Sequence, residues 1–245
     1  KLRSWLADGI ICQNRDMLND FFSKWEKVQL IPIGVDVREY RYFKDNIKLK
    51  KQLGVPDNKR IIISVANLIP IKGIEILINA FKEIIIPYPD WYLLIVGDDT
   101  SDYAKGVKKI TFQNKILRNK IIFTGKQKNI RELLDISEIY VQPSLSKGEG
   151  APIAILEAMS NGKVIIGSDV PGIRDQLNNF PSHLFKSGNM LDLKSKLIQF
   201  ISNDINENKK IGIKFFDYVS ANYDLSIEKE RLQNYYLELA NKILL

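Results

Sequence analysis

The sequence contains one cysteine, Cys12, and one histidine, His183. A single thiol excludes an intrachain disulfide and any zinc cage built from several cysteines. A single imidazole excludes His-rich metal sites and leaves little room for chemistry that relies on histidine as a proton carrier. No apolar run approaches the roughly 18–20 residues of a membrane-spanning helix. The clearest apolar runs, Ile61–Val65 and Leu93–Val96, have the length of strands. The opening segment Lys1–Ile10 has no long apolar stretch and no small-residue cleavage motif, so no secretory leader is expected there. Internal repeats and low-complexity segments are also absent.

The 245 residues carry 36 Lys and Arg against 29 Asp and Glu, a net charge of +7. Such a balance suits phosphate-bearing ligands or anionic surfaces. Part of it is clustered: Tyr103–Lys120 holds six basic residues and no acid. That stretch reads either as a solvated helix and loop or as a patch for an acidic partner or the inner face of a membrane. The Tyr and Trp residues are not interleaved with the basic ones, and no nucleic-acid partner is expected.

Short apolar runs alternate with segments of helical period. Strands are expected at Arg60–Val65, Trp91–Val96, Lys120–Thr124, Glu138–Val141 and Val164–Gly167. Helices are expected at Ile74–Ile86, Ala104–Ile116, Ile130–Leu134 and Pro152–Asn161. Several strands are apolar throughout, as strands covered on both faces are. The alternation predicts a doubly wound, Rossmann-like α/β domain with a parallel sheet. Leu191–Leu245 lacks strand signals and reads as two or three helices. Before Arg60 the pattern is a short strand at Gly9–Cys12, a helix at Asp16–Trp25 and a strand at Val28–Ile31. A basic connector, Arg38–Lys51, then leads into a small helix near Lys48–Leu53.

In a parallel sheet the loops after the strands gather on one edge, and ligands bind there. That rule collects Asn67–Gly73, Gly97–Asp102, Gly125–Asn129 and Gln142–Gly150 on one rim. The strongest feature is Ser144–Gly162, SLSKGEGAPIAILEAMSNG. A loop with Gly148 and Gly150 runs into a helix with Pro152 near its start, a position proline favours. The unpaired N–H groups there suit a phosphate or sugar oxygen. From Ala151 to Ser160 the only charge is Glu157, which needs a partner or a ligand hydroxyl. Glu149 stands on the loop eight residues earlier. The plainer alternative has Glu149 solvated and Glu157 paired with a structural cation. Lys72, between a buried strand and a helix, can reach an anion at the strand ends or simply face solvent. Asp98-Asp99 after a strand also admits a Mg²⁺ reading, as in receiver-like phosphotransfer domains. His183 reads as part of a turn and short strand, and Cys12 as core.

These pieces together resemble the C-terminal half of retaining, GT-B-type glycosyltransferases of the large group-1 family. Gly34–Asp36 (GVD) is similar to the family's interdomain segment, with Ile33 in place of its Asn. Val65–Phe81 (VANLIPIKGIEILINAF) resembles its Lys-bearing element, Leu93–Asp99 and Ile121–Lys126 follow in the family's order, and Val141–Asp175 carries its E-x7-E signature at Glu149 and Glu157. The resemblance implies a hexosyl transferase using a UDP- or GDP-linked sugar, with no other cofactor and no metal, acting on a glycan or lipid-linked acceptor. It implies that Lys72 neutralises the donor diphosphate, Glu149 faces the donor sugar and Glu157 binds the ribose. Asn67, Gly97, Lys126, Ser144, Gly150, Ala151, Pro152 and Ile153 complete the implied donor site. Two departures stand out. Asn67 replaces a common Arg, a charge-assisted contact worth about 1.5–3 kcal/mol, for which Lys126 or Lys147 can substitute. The loop Leu145–Gly148 is slightly longer than usual.

The resemblance also implies three parts. Residues 1–36 are expected to be the trailing edge of an acceptor domain and an interdomain segment. Residues 37–226 form the nucleotide-sugar-binding domain, and 227–245 a helix that packs back on the acceptor domain. A chain cut in this way is expected to be cytoplasmic, to bind donor, and to transfer poorly by itself. The alternative function is therefore a nucleotide-sugar-binding module.

Overall fold

The structure is a computed structural model that describes residues 7–22, 27–40, 46–145 and 149–243, the side chains of 20–22 and 243 excepted. Lys147 and Gly148, and with them most of the loop after Leu145, lie outside the described residues. In chain order the elements are β1 (Ile10–Cys12), α1 (Arg15–Phe22), β2 (Val28–Leu30), α2 (Val37–Tyr40), α3 (Ile47–Gln52) and β3 (Arg60–Val65). Then come α4 (Ile74–Ile84), β4 (Trp91–Val96), α5 (Asp102–Gln113), β5 (Ile121–Phe123), α6 (Ile130–Asp135) and β6 (Ile139–Gln142). The last are α7 (Ile153–Ser160), β7 (Val164–Ser168), α8 (Pro171–Gln176), β8 (Leu184–Phe185), α9 (Met190–Ile201), α10 (Ile205–Asn222) and α11 (Leu225–Ile243).

The main sheet has six strands in the order β5-β4-β3-β6-β7-β8, and every pairing is parallel. The doubly wound α/β expectation therefore holds. The chain starts in the middle of the sheet at β3, builds outward to β5, then returns to the other side of β3 with β6. The loops after β3 and β6 consequently leave the sheet side by side, which is the switch point where such sheets bind ligands. A separate parallel pair, β1-β2, precedes this sheet.

Side chains divide with period two. Ile62, Leu93 and Ile95 pack toward α4, α5 and α9, while Ile61, Ile63, Leu94 and Val96 pack toward α7 and α10. Because both faces are covered, the strands read as continuous apolar runs. Three helices follow β8, in line with the apolar stripes of the last 55 residues. The expected helix Ala104–Ile116 is shorter and begins earlier, at Asp102, where Ser101 accepts from Ala104 N and caps it. It ends at Gln113, after which Asn114 accepts from Ile116 and Leu117 N and turns the chain. Helix α8 was not legible as a helix because its six residues include both Pro171 and Gly172.

Gly73 joins the two central loops. It has φ +66°, and a Cβ there would stand 2.1 Å from the Pro143 carbonyl oxygen. Only glycine permits that approach. Alongside it Leu145 N donates to Ile71 O at 2.8 Å. The loop after β3 and the loop after β6 are thus locked together, and Lys72 is carried on the first of them.

His183 is structural. Its Nδ1–H donates to the Ile165 carbonyl at 2.7 Å, and its ring stacks on Phe200 at 4.5 Å. Burial, with a smaller contribution from Lys196, pushes its pKa down from the usual 6.5 to about 4. The unfolded chain therefore takes up this proton first as pH falls. The stability that the neutral ring supports is complete above about pH 6.5 and is lost toward pH 4, to the extent of about 3 kcal/mol. Urea midpoints at pH 7 and pH 4.5 should differ less in His183→Gln than in wild type. Equal differences would show that His183 does not carry this dependence.

Candidate functional site

The locked loops bring Lys72 and Glu149 into contact, with Lys72 Nζ 2.7 Å from Glu149 Oε1. The Glu149 side chain is 8% exposed and that of Lys72 22%. The same carboxylate oxygen also accepts from Ser144 Oγ at 2.6 Å and from Gln142 Nε2 at 2.9 Å. Three donors on one oxygen satisfy the negative charge that burial would otherwise penalise.

Tyr140 orders this cluster. Its hydroxyl donates to Gln142 Oε1, so the amide nitrogen of Gln142 must face Ser144, 3.0 Å away, and Glu149. Burial and then the Glu149 charge raise the Tyr140 phenol, which stays a donor. The Ser144 carbonyl is held in turn by Ser168 Oγ at 2.6 Å and Ser187 Oγ at 3.2 Å. The pattern is a chain of side chains running from the core of β6 out to the rim.

Glu157 does not join this group. One turn into α7, it faces α2, and its Oε1 accepts from the Tyr40 hydroxyl at 2.8 Å. Burial first, and then this carboxylate, raise the Tyr40 phenol. The two residues border an open cleft of about 340 Å³ whose other walls include Lys128, Asn129 and Arg131. Between the two carboxylates lies the start of α7, with Pro152 as its N-cap and Ile153 as its first residue, 45% exposed. Pro152 thus stands one position before the helix rather than within its first turn.

The remaining expected site residues serve the rim. Gly97 has φ +148°, and a Cβ there would stand 2.0 Å from the Ala66 carbonyl oxygen, so it lets the loops after β3 and β4 meet. Asn67 is exposed, and its Oδ1 accepts from Asp98 N at 3.2 Å. It therefore braces the neighbouring loop. Lys126 is exposed on the loop after β5, within electrostatic reach of Asp98. The adjacent carboxylates are both engaged: Asp98 accepts from Thr100 N and Oγ1, and Asp99 pairs with Lys108 at 2.6 Å. No cluster of three or more His, Cys, Asp or Glu suited to a metal occurs among the described residues.

Sequence reasoning named neither Tyr40 nor Tyr140 as a site residue, and took Gln142 only as the start of a rim loop. The last two had a signal. In the run Ile139–Gln142 both stand on one face of a fully buried strand, where a tyrosine hydroxyl and an amide must find partners. Tyr40 had none, because it lies in a polar connector 117 residues from Glu157.

Comparison with known proteins bears on the fold and the family of the chain. The chain is 28% identical over 178 residues to the N-acetyl-alpha-D-glucosaminyl L-malate synthase of Bacillus anthracis, an alignment covering 72% of this chain and 45% of that protein. It is 23% identical over 243 residues to the alpha-monoglucosyldiacylglycerol synthase of Streptococcus pneumoniae, covering 95% and 52%. The chain thus spans about half the length of these curated relatives. Among solved structures, Anabaena Alr3699/HepE in complex with UDP and glucose superposes with a TM-score of 0.83 at 24% identity, over 95% of this chain and 64% of that one. That likeness establishes the fold. The family model described as glycosyl transferases group 1 matches residues 45–214, which hold both central loops, the Lys72–Glu149 pair and Glu157. Since that match spans more than half of the sequence, the chain belongs to the glycosyl transferases of group 1.

Proposed function

We propose that this chain carries the donor site of a nucleotide-sugar-dependent glycosyltransferase that transfers a hexose with retention. The observation that carries the proposal is the Lys72–Glu149 pair at the switch point, flanked by the start of α7 and, beyond it, by Glu157. Lys72 meets the donor diphosphate, Glu149 the sugar, and Glu157 the ribose hydroxyls in the cleft beside Tyr40. In the transfer the acceptor hydroxyl oxygen bonds to the anomeric carbon on the face from which the diphosphate leaves, the bond from that carbon to the diphosphate oxygen breaks, and the hydroxyl proton passes to the departing phosphate. Negative charge then grows on the departing diphosphate. A lysine and helix-start N–H groups stabilise such charge.

The names of relatives support this class. One is a GDP-mannose-dependent mannosyltransferase of Corynebacterium glutamicum, another a UDP-Gal-dependent galactosyltransferase of Escherichia coli, and Alr3699/HepE is in complex with UDP and glucose. The donor is a UDP- or GDP-linked sugar on this reading, and the acceptor a glycan or a lipid-linked molecule. Titration calorimetry tests the site. Lys72→Ala should weaken UDP or GDP binding about tenfold and the monophosphates less, and Glu157→Ala should weaken both classes by about tenfold. Wild-type affinity in Lys72→Ala would sink the donor-site reading, and wild-type affinity in Glu157→Ala the assignment of Glu157 to the ribose.

The parts of the chain take roles on the same reading. Residues 1–36 belong with an acceptor-side domain, 37–226 hold the donor, and 227–245 return to the acceptor side. The Tyr235 hydroxyl of α11 does meet this early segment, accepting from Ile10 N at 2.9 Å and donating to Lys27 O at 2.7 Å. Since the relatives are about twice as long, acceptor contacts are assigned to the part of such proteins that this chain does not span. The 245-residue chain should therefore bind the nucleotide yet turn over sugar at least a hundredfold more slowly than a full-length relative, about 3 kcal/mol in barrier. Comparable turnover would refute this.

A peripheral contact with an anionic membrane at its cytoplasmic face also belongs to the proposal. Lys109, Lys115 and Arg118 are exposed beside Ile110 (68% exposed), Phe112 (43%) and Ile116 (45%). By contrast Lys108 is tied to Asp99 and Lys120 to the Pro89 carbonyl. Basic groups around apolar ones suit an anionic lipid surface. Phosphatidylglycerol vesicles should sediment the protein at low salt and release it at high salt, and reversing the three charges should abolish binding. Binding equal to that on neutral vesicles would end this reading.

A further inference from the structure

The proposed donor site relies on N–H groups at the start of α7, yet α7 does not orient the first of them. Asn14 lies between β1 and α1, and is only 5% exposed. Its Oδ1 accepts from Met17 N at 2.7 Å and caps α1. Its Nδ2 reaches across to the Gly150 carbonyl, also at 2.7 Å. Two residues further along the same loop, a second buried amide does likewise: Gln176 Nε2 donates to the Pro152 carbonyl at 3.1 Å. Gly172 closes on the first of these peptides, since a Cβ there would stand 2.1 Å from Gly150 O.

Peptide geometry turns these contacts into a direction. The chain has no cis bond among its described residues, and in a trans peptide the C=O and the N–H point opposite ways. Drawing the Gly150 carbonyl toward Asn14 therefore turns the Ala151 N–H away from Asn14. Drawing the Pro152 carbonyl toward Gln176, and toward Ile155 N of α7 itself at 3.3 Å, does the same for Ile153. Neither N–H has an acceptor among the described residues. Two donors adjacent to Glu149 are thus aimed and left unused, and the amides that aim them are buried.

We propose that Asn14 is a positioning residue of the donor site: through the Gly150 carbonyl it aims the Ala151 N–H at the outer phosphate of the donor diphosphate. This rests on the donor reading given above. It also assigns the β1–α1 connection a part in donor binding, although that connection lies outside the segment matched by the family model.

Asn14→Ser tests it. Serine caps a helix about as well as asparagine and brings no charge, but its hydroxyl is too short to replace the amide nitrogen. UDP, GDP and their monophosphates are titrated against wild type, N14S and Lys72→Ala. N14S should melt close to wild type and bind the preferred diphosphate about five- to twentyfold more weakly, with a smaller loss for the monophosphate. In ¹⁵N-labelled wild type, the Ala151 amide should shift on addition of that diphosphate; this readout does not depend on how any variant folds. Wild-type affinity in N14S together with weakened K72A, or an unmoved Ala151 amide, would overturn the role of Asn14 and leave the donor site standing. Wild-type affinity in K72A would instead overturn the donor reading beneath it. Equal losses for mono- and diphosphate in N14S would mark Asn14 as a structural cap only.

Discussion

Everything at the rim depends on the close approach of Gly73 to the Pro143 carbonyl. A side chain at position 73 would collide with backbone, and the positive φ there is costly for any residue but glycine. That contact joins the loop after β3 to the loop after β6. Strand order has already made these loops neighbours, because β3 lies between β4 and β6. The glycine turns adjacency into a fixed distance. Lys72 is next to it in sequence, so its ammonium is delivered to Glu149 by backbone rather than by chance of rotamer.

The chemistry follows from how the two glutamates are held. Glu149 is nearly enclosed, with a lysine, a serine and a glutamine on one oxygen. Glu157 sits more openly and takes a single hydroxyl from Tyr40. Each partner group is one that a sugar or phosphate can imitate or compete with. Lysine favours an anionic oxygen, and a carboxylate bonded to a phenol accepts other hydroxyls as readily. On the proposed reading, donor binding exchanges internal partners for ligand groups of the same kind. Little desolvation then remains uncompensated.

Much of this was legible beforehand. Continuous apolar runs at Ile61–Val65 and Leu93–Val96 marked strands covered on both faces, and Gly and Pro at the joints marked the ends of the elements. The spacing of Lys72, Glu149 and Glu157, together with the family's motifs, pointed to one rim. Asn67 shows where such reading stops. As a departure from the family pattern it signified a lost charge; in the fold its side chain bonds Asp98 N and steadies the neighbouring loop. Helix α8 was hidden by its proline and glycine, and Tyr40 by the polar connector around it.

Local pattern by itself determined the class of fold, the order of its elements and which loops would share an edge, because hydrophobic period and turn residues act over a few positions. The tertiary structure alone decided which carboxylate meets which partner. Glu149 faces Lys72 across 77 residues, Glu157 faces Tyr40 across 117, and the Gly150 carbonyl faces Asn14 across 136. Those pairings depend on strand order and on close backbone contacts, and no short-range signal in a single sequence encodes either.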